Sequence, residues 1–215
     1  APYPYEEVNF AAITAEPSPE YLLGTDALGR DVLSRLIYGA RVSLLVSLIA
    51  QAVIIVIGVP IGIISGFFGG WVDMIIQRVI DVLYAFPSLL FIIIIMTYLQ
   101  GALDQSDTLL ANALSSVNDA TGGLLGVLIA LGIVFWLTIS RIVRGEVLAM
   151  KEKEYMLAAR AIGATDLHLM IHHILPNILA PVLVAIAFGI PNVIMLEAGL
   201  SYLGLGTKPP IPSWG

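Results

Sequence analysis

The chain has no cysteine, only 12% charged residues and three histidines in 215 residues. Without cysteine there can be no disulfide framework, no thiol chemistry and no thiolate metal site. The low charge excludes an ordinary soluble domain, in which about a quarter of residues are charged. No GxxxxGK[ST] run occurs, so the chain does not bind ATP through a P-loop. Neither GxSxG nor HExxH is present. The net charge of −6 gives nucleic acid nothing to bind. Residues 1–21 have neither a basic start nor an apolar core, so no cleavable signal peptide is expected.

Apolar sequence is abundant. Hydrophobic residues make up 58% of the chain, and the mean hydropathy is +0.93. Four runs contain no Asp, Glu, Lys, Arg or His: Val42 to Val72, Val82 to Leu103, Ala120 to Ser140 and Ile174 to Leu196. Each exceeds the roughly 18 residues that carry a helix across about 30 Å of hydrocarbon. The chain therefore reads as an all-α integral membrane protein, a polytopic helical bundle with spans near 41–66, 85–99, 122–144 and 175–198.

Around the spans the order is as follows. Ala1 to Glu20 reads as an extended, exposed segment. Asp31 can cap a helix with apolar positions Leu33, Leu36 and Ile37. The first span carries Gly58, Gly62 and Gly66 at four-residue spacing, with Pro60 among them. Such a stripe lets two backbones pack closely in lipid; static packing and a bending interface both fit it. Trp71 to Tyr84 is amphipathic, with Asp73 and Gln77, and Arg78 and Asp81, on neighbouring turns. Gln100 to Thr121 reads as a polar loop. Pro181, Gly189 and Pro191 predict a bent or broken last span. Gln51, Asn192 and Glu197 are candidate pathway residues, since polar groups within spans are functional candidates. Glu197 lies near a helix end, where a water-exposed position is the simpler reading.

Basic residues set the orientation. Gln100 to Thr121 has none, whereas Arg141, Arg144, Lys151, Lys153 and Arg160 cluster after the third span. The positive-inside rule puts 144–173 in the cytoplasm and both termini outside. Arg30, Arg35 and Arg41 run against it.

The stretch Glu154 to Pro176, EYMLAARAIGATDLHLMIHHILP, is the one long segment that is neither uniformly apolar nor loop-like. Tyr155, Met156, Ala159 and Ile162 recur at helical spacing. Gly163 suits a left-handed helix stop, Thr165 or Asp166 a helix cap, and Pro176 a break before the last span. His168 and His172 share a helix face that could take a metal, though solvation at a polar surface is the simpler account.

Ala158-Ala159, Gly163 and Leu175-Pro176 resemble the EAA signature of ABC importer permeases. Leu157 replaces the signature's glutamate and His173 its isoleucine. Both variants, with Gly24 to Asp31 (GTDALGRD) and the YAFPSLLF run from Tyr84 to Phe91, are similar to the dipeptide, oligopeptide and nickel branch. The resemblance implies a type I permease with a cytoplasmic coupling helix. Coupling to an ATPase would fall on Glu154, Tyr155, Ala158, Ala159, Arg160, Gly163 and Ala164. It implies a multi-pass inner-membrane subunit that is not itself an enzyme, binds no cofactor and forms half a pore. Its partners would be a second homologous permease, two ABC ATPase subunits and an external substrate-binding protein. Residues 1–40 would be an external segment with an interfacial helix, and 41–215 the permease core with its loop at 145–174. Family members have six spans, so this chain would correspond to their middle portion. A secondary transporter or channel working without an ATPase is the competing reading, favoured by proline-broken helices.

Overall fold

The computed structural model describes residues 1–105, 116, 118, 124–206 and 210–214. The principal elements are helices α1 (Val32–Phe68), α2 (Gly70–Tyr84), α3 (Ser88–Gln105), α4 (Leu124–Met150), α5 (Glu154–Ala161), α6 (Asp166–His168) and α7 (Leu175–Tyr202). A π-helical stretch, Leu169–Ile174, joins α6 to α7. Among the described residues there is no strand, only an isolated bridge between Thr25 and Asp31.

Among the described residues three helical stretches are long and apolar enough to cross a membrane: Val32–Phe68, Leu125–Met150 and Asp166–Tyr202. The fourth expected span, 85–99, is instead part of a pair. Gly70–Tyr84 and Ser88–Leu99 qualify only together and are bent by 88° at the break. The bend falls at Pro87, whose ring disfavours helical backbone in the residue before it.

Several boundaries differ from expectation. The first span and the helix capped by Asp31 form one helix of 37 residues, about 55 Å long. α3 continues to Gln105, so the first residues of the expected polar loop are helical. Much of the rest of that loop, including Asp107 and Asp119, lies outside the described residues. Pro176, Pro181 and Pro191 do not break the last span, because helix runs from Asp166 to Tyr202. At Pro176 the register shift explains why. The Leu175 N–H donates to Met170 O, five residues back, and the Asn177 amide donates to His173 O at 2.6 Å. Proline has no N–H to donate, and the π turn moves the hydrogen-bonding register by one residue around it.

The chain divides into two compact units, each receiving part of α1, α3, α4 and α7. The first holds residues 1–49, 96–128 and 191–215. Its N-terminal segment is largely exposed but not extended. Thr14 and Thr25 bond to Asp26 and Ala15 through backbone groups, and Tyr5 packs edge-on against Tyr38 at 5.0 Å. Near the C-terminal end, the Trp214 indole donates to Leu36 O at 3.1 Å.

The second unit, residues 50–95 and 129–190, holds the main core. Val59, Ile63 and Phe67 of α1 meet Ile139, Val143 and Val147 of α4, with Met156 and Ala159 of α5 and Leu169 and Ile174 of the π stretch. Gly58, Gly62 and Gly66 face α4 at very short range. A Cβ on Gly62 would lie 2.6 Å from Ser140 O and 2.7 Å from Val143 Cβ; on Gly66, 2.8 Å from Val147 Cβ. Only hydrogen fits between these two backbones.

Candidate coupling segment and buried polar residues

The segment from 151 to 175 is built by local rules. Glu154 stands in the first turn of α5 and Arg160 in the last, each favourable to the helix dipole. The helix then ends in a complete Schellman motif. The Gly163 N–H bonds to Arg160 O and the Ala164 N–H to Ala159 O, both at 3.0 Å, with Gly163 at φ +90°. Only glycine takes that conformation freely. Thr165, rather than Asp166, caps the next turn by accepting the His168 N–H at 3.3 Å.

The apolar positions of α5 do not share one fate. Met156 and Ala159 are buried in the core of the second unit. Tyr155 faces out, Leu157 is 56% exposed and Ile162 88% exposed. Leu167, one turn further on, is 63% exposed. The sequence pattern grouped Ile162 and Tyr155 with the buried pair; the structure separates them. Among the expected coupling residues, Glu154, Tyr155, Ala158, Arg160 and Gly163 are exposed and Ala164 is half-buried. Ala159 faces its own chain, so its small side chain seats α5 on the core. Burying Met156 anchors the helix, worth about 1.5–3 kcal/mol.

The histidines stack on one another. His168 and His172 lie 4.3 Å apart, ring centre to ring centre, and Tyr155 lies 6.2 Å from His173. Among the described residues no group of three or more His, Asp or Glu could hold a metal.

A polar strap absent from the sequence reading ties α2 to α4. Arg144 makes a two-pronged pair with Asp73 at 2.5 and 2.6 Å. Asp73 also accepts the Ser65 hydroxyl of α1 at 2.5 Å, and Gln77 donates to Ser65 at 3.1 Å. Arg141 pairs with Asp81 and lies over the Tyr84 ring. Asp73 therefore reaches across helices rather than along α2. Its partners lie 8 and 71 positions away, a separation that no local spacing rule detects.

The three candidate pathway residues differ. Gln51 is buried against Gly189, where a Cβ would sit 2.8 Å from the Gln51 amide carbon. Asn192 is exposed on the chain's surface. Glu197 is 1% exposed, which corrects the water-exposed reading: α7 continues past it to Tyr202. One carboxyl oxygen accepts the Ser201 hydroxyl at 2.7 Å, and the other has no partner among the described residues.

The fold and this segment define a polytopic α-helical membrane protein that presents a short amphipathic helix outside its spans. The chain belongs to the family of binding-protein-dependent transport system inner membrane components, whose pattern matches residues 58–215. It is 39% identical over 213 residues to the oligopeptide transport system permease protein OppC of Bacillus subtilis, covering 99% of this chain and 63% of that protein. It is 37% identical over 211 residues to the dipeptide transport system permease protein DppC of Alkalihalophilus pseudofirmus, covering 98% and 62%. It is 34% identical over 215 residues to the glutathione transport system permease protein GsiD of Pectobacterium atrosepticum, covering 99% and 64%. The chain thus spans less than two thirds of the length of these relatives.

Proposed function

We propose that the chain is part of a permease subunit in an ATP-driven peptide importer, coupled to its ATPase through residues 154–165. One observation carries this reading: Leu157 and Ile162 are exposed on a helix whose inner face is firmly seated. Two large apolar side chains beside a rigid glycine turn suit a partner surface. The relatives bear the names of oligopeptide, dipeptide and glutathione systems, which favours a peptide over nickel. ATP hydrolysis is assigned to partner subunits, since the chain has no P-loop. A second permease, two ATPases and an external binding protein complete the assembly, and 144–173 faces the cytoplasm. An ATPase-independent transporter loses its supporting feature, because α1 is continuous through Pro60 and α7 through Pro181 and Pro191.

The test is an Ile162→Cys variant of the full-length permease, expressed with and without the ATPase subunits. The proposal expects a cross-link from position 162 to the ATPase, with a yield that changes on ATP addition. Peptide uptake with no cross-link to any ATPase from Ile162→Cys, nor from Leu157→Cys or Leu167→Cys made in the same way, would overturn it.

A further inference from the structure

Helix α2 turns its polar groups toward its own chain. Asp73 reaches Arg144 and Ser65, and Gln77 reaches Ser65, with Ile80 fully buried on the same side. The opposite side is apolar. Trp71, Met74, Ile75, Val79 and Val82 are each at least half exposed, and at 3.6 residues per turn they form one stripe.

Arg78 stands in the middle of that stripe. A helical rotation of about 100° per residue sets it between Met74 on one side and Trp71, Val82 and Ile75 on the other, within about 30° of the centre. It is exposed, and among the described residues it has no carboxylate or hydrogen-bond partner. The other two charges of α2 are matched, Asp73 by Arg144 and Asp81 by Arg141.

This combination decides what covers the face. A stripe turned to lipid would hold an unpaired guanidinium among side chains seated in hydrocarbon, at a cost of about 2.5–3.5 kcal/mol near mid-membrane. A protein surface that is apolar and carries one carboxylate satisfies both the stripe and its cation. α2 itself displays such a carboxylate. Asp81 lies on the flank of the same stripe, its side chain 57% exposed. A related subunit built on the same helix can therefore offer the acid that Arg78 lacks.

We propose that the outer face of α2 is the contact with the second permease subunit, Arg78 pairing with a carboxylate of that subunit inside a ring of apolar side chains. The inference rests on the reading that a second, related permease completes the assembly.

The experiment uses the full-length permease in membranes, expressed with all its partner subunits. Val79→Cys and Val82→Cys are labelled with a benzophenone maleimide, the unsubstituted permease giving the background. Irradiation is expected to yield an adduct that mass spectrometry identifies as the second permease. Arg78→Glu should lower both this adduct and the co-purified second permease at least about tenfold, because like charges then meet. Arg78→Lys should retain most of both. Arg78 is exposed, so membrane abundance should hold in the two variants; if Arg78→Glu loses abundance, the adducts formed with Arg78 in place decide alone. An adduct only with an ATPase, only with lipid, or none at all would overturn the proposal, as would undiminished co-purification in Arg78→Glu at normal abundance. A cross-link from position 162 to the ATPase with no permease adduct from α2 would remove this inference and leave the ATP-driven reading standing.

Discussion

Two segments outside the spans turn on glycines at positive φ, yet they differ in how much apolar surface they leave exposed. In residues 24–31, Gly24 and Gly29 sit at φ +72° and +73°. The Asp26 carboxylate accepts the Leu28 and Arg30 backbone N–H groups and pairs with the Arg30 guanidinium at 2.7 Å. Asp31 accepts the Ser34 N–H at 2.8 Å and caps α1. Those aspartates act within the segment and on the first turn of α1, where Asp26 also pairs with Arg35 at 3.7 Å. In residues 154–165 the backbone is equally well finished by the Schellman bonds, but Leu157 and Ile162 are 56% and 88% exposed, against 47% for Leu28 in the first segment. A segment whose carboxylates bind adjacent backbone and the first turn of α1 is structural. One that closes its backbone and still exposes large apolar side chains has a surface for something else.

The largest expected effect separates two adjacent alanines. Ala159 is buried in the core and Ala158 is exposed. Ala159→Asp places a charge without a partner in that core, at a cost of about 3–5 kcal/mol. The permease itself should lose abundance and thermal stability. Ala158→Asp should leave both near wild type and alter only ATPase association. Equal loss of abundance in the two variants would show that α5 has no free face.

Next come the glycines. A Cβ at Gly29 would lie 2.7 Å from the Asn9 carbonyl carbon, whereas nothing lies within 4 Å of one at Gly163. Gly29→Ala combines backbone strain with overlap, about 2–4 kcal/mol in all. Gly163→Ala carries the strain alone, about 1 kcal/mol. Limited proteolysis of membrane-embedded protein should show residues 1–31 opened by the first change and the 154–168 segment still protected after the second. Similar protection in both variants would erase the distinction.

Smaller in stability, but decisive for function, is Leu157→Ser with Ile162→Ser. Exposed changes of this kind stay within about 0.5 kcal/mol. Membrane abundance should hold while peptide uptake falls at least about tenfold. Normal uptake at normal abundance would make the exposed apolar face an ordinary interfacial helix.

The features read correctly from sequence were those set by one stretch of chain. Gly163 and Thr165 act within four residues of themselves, so composition and spacing reveal them. Pro176 and Pro191 misled because a proline signals a break only where the helix cannot absorb the missing N–H, and at Pro176 a π turn shifts the hydrogen-bonding register around it. The Asp73–Arg144 pair joins α2 to α4 over 71 positions, which no periodicity encodes. Ala159 was assigned to a partner because small residues permit close approach; the approach is real, but to the chain's own core. Glu197 was placed near a helix end because the apolar run stops at Leu196, while the helix itself goes on to Tyr202.

The smallest effect is one of pH, and it falls on the self-contained segment alone. Burial by itself would raise the Asp26 pKa. The Arg30 and Leu28 N–H groups and the Arg30 guanidinium outweigh it and hold the carboxyl below its ordinary 3.8. Because the folded value is the lower one, the ionised carboxylate stabilises the turn at pH above the ordinary value. That contribution fades as pH falls from about 4 through the depressed range. The side chain is 25% exposed, so solvent screening limits the effect to under about 1 kcal/mol. Hydrogen exchange at the Thr14 amide, which donates to Asp26 O, reports opening of this turn. Its protection should drop between pH 5 and pH 3 beyond the intrinsic change in exchange rate. Asp26→Asn should show lower protection at pH 5 and little further loss at pH 3. The amides of the 163–168 turn, whose capping group is the neutral Thr165 hydroxyl, should serve as the reference that does not move. A drop of equal size at Thr14 in wild type and Asp26→Asn would mean that Asp26 does not hold this turn, and the contrast between the two segments would rest on the glycines alone.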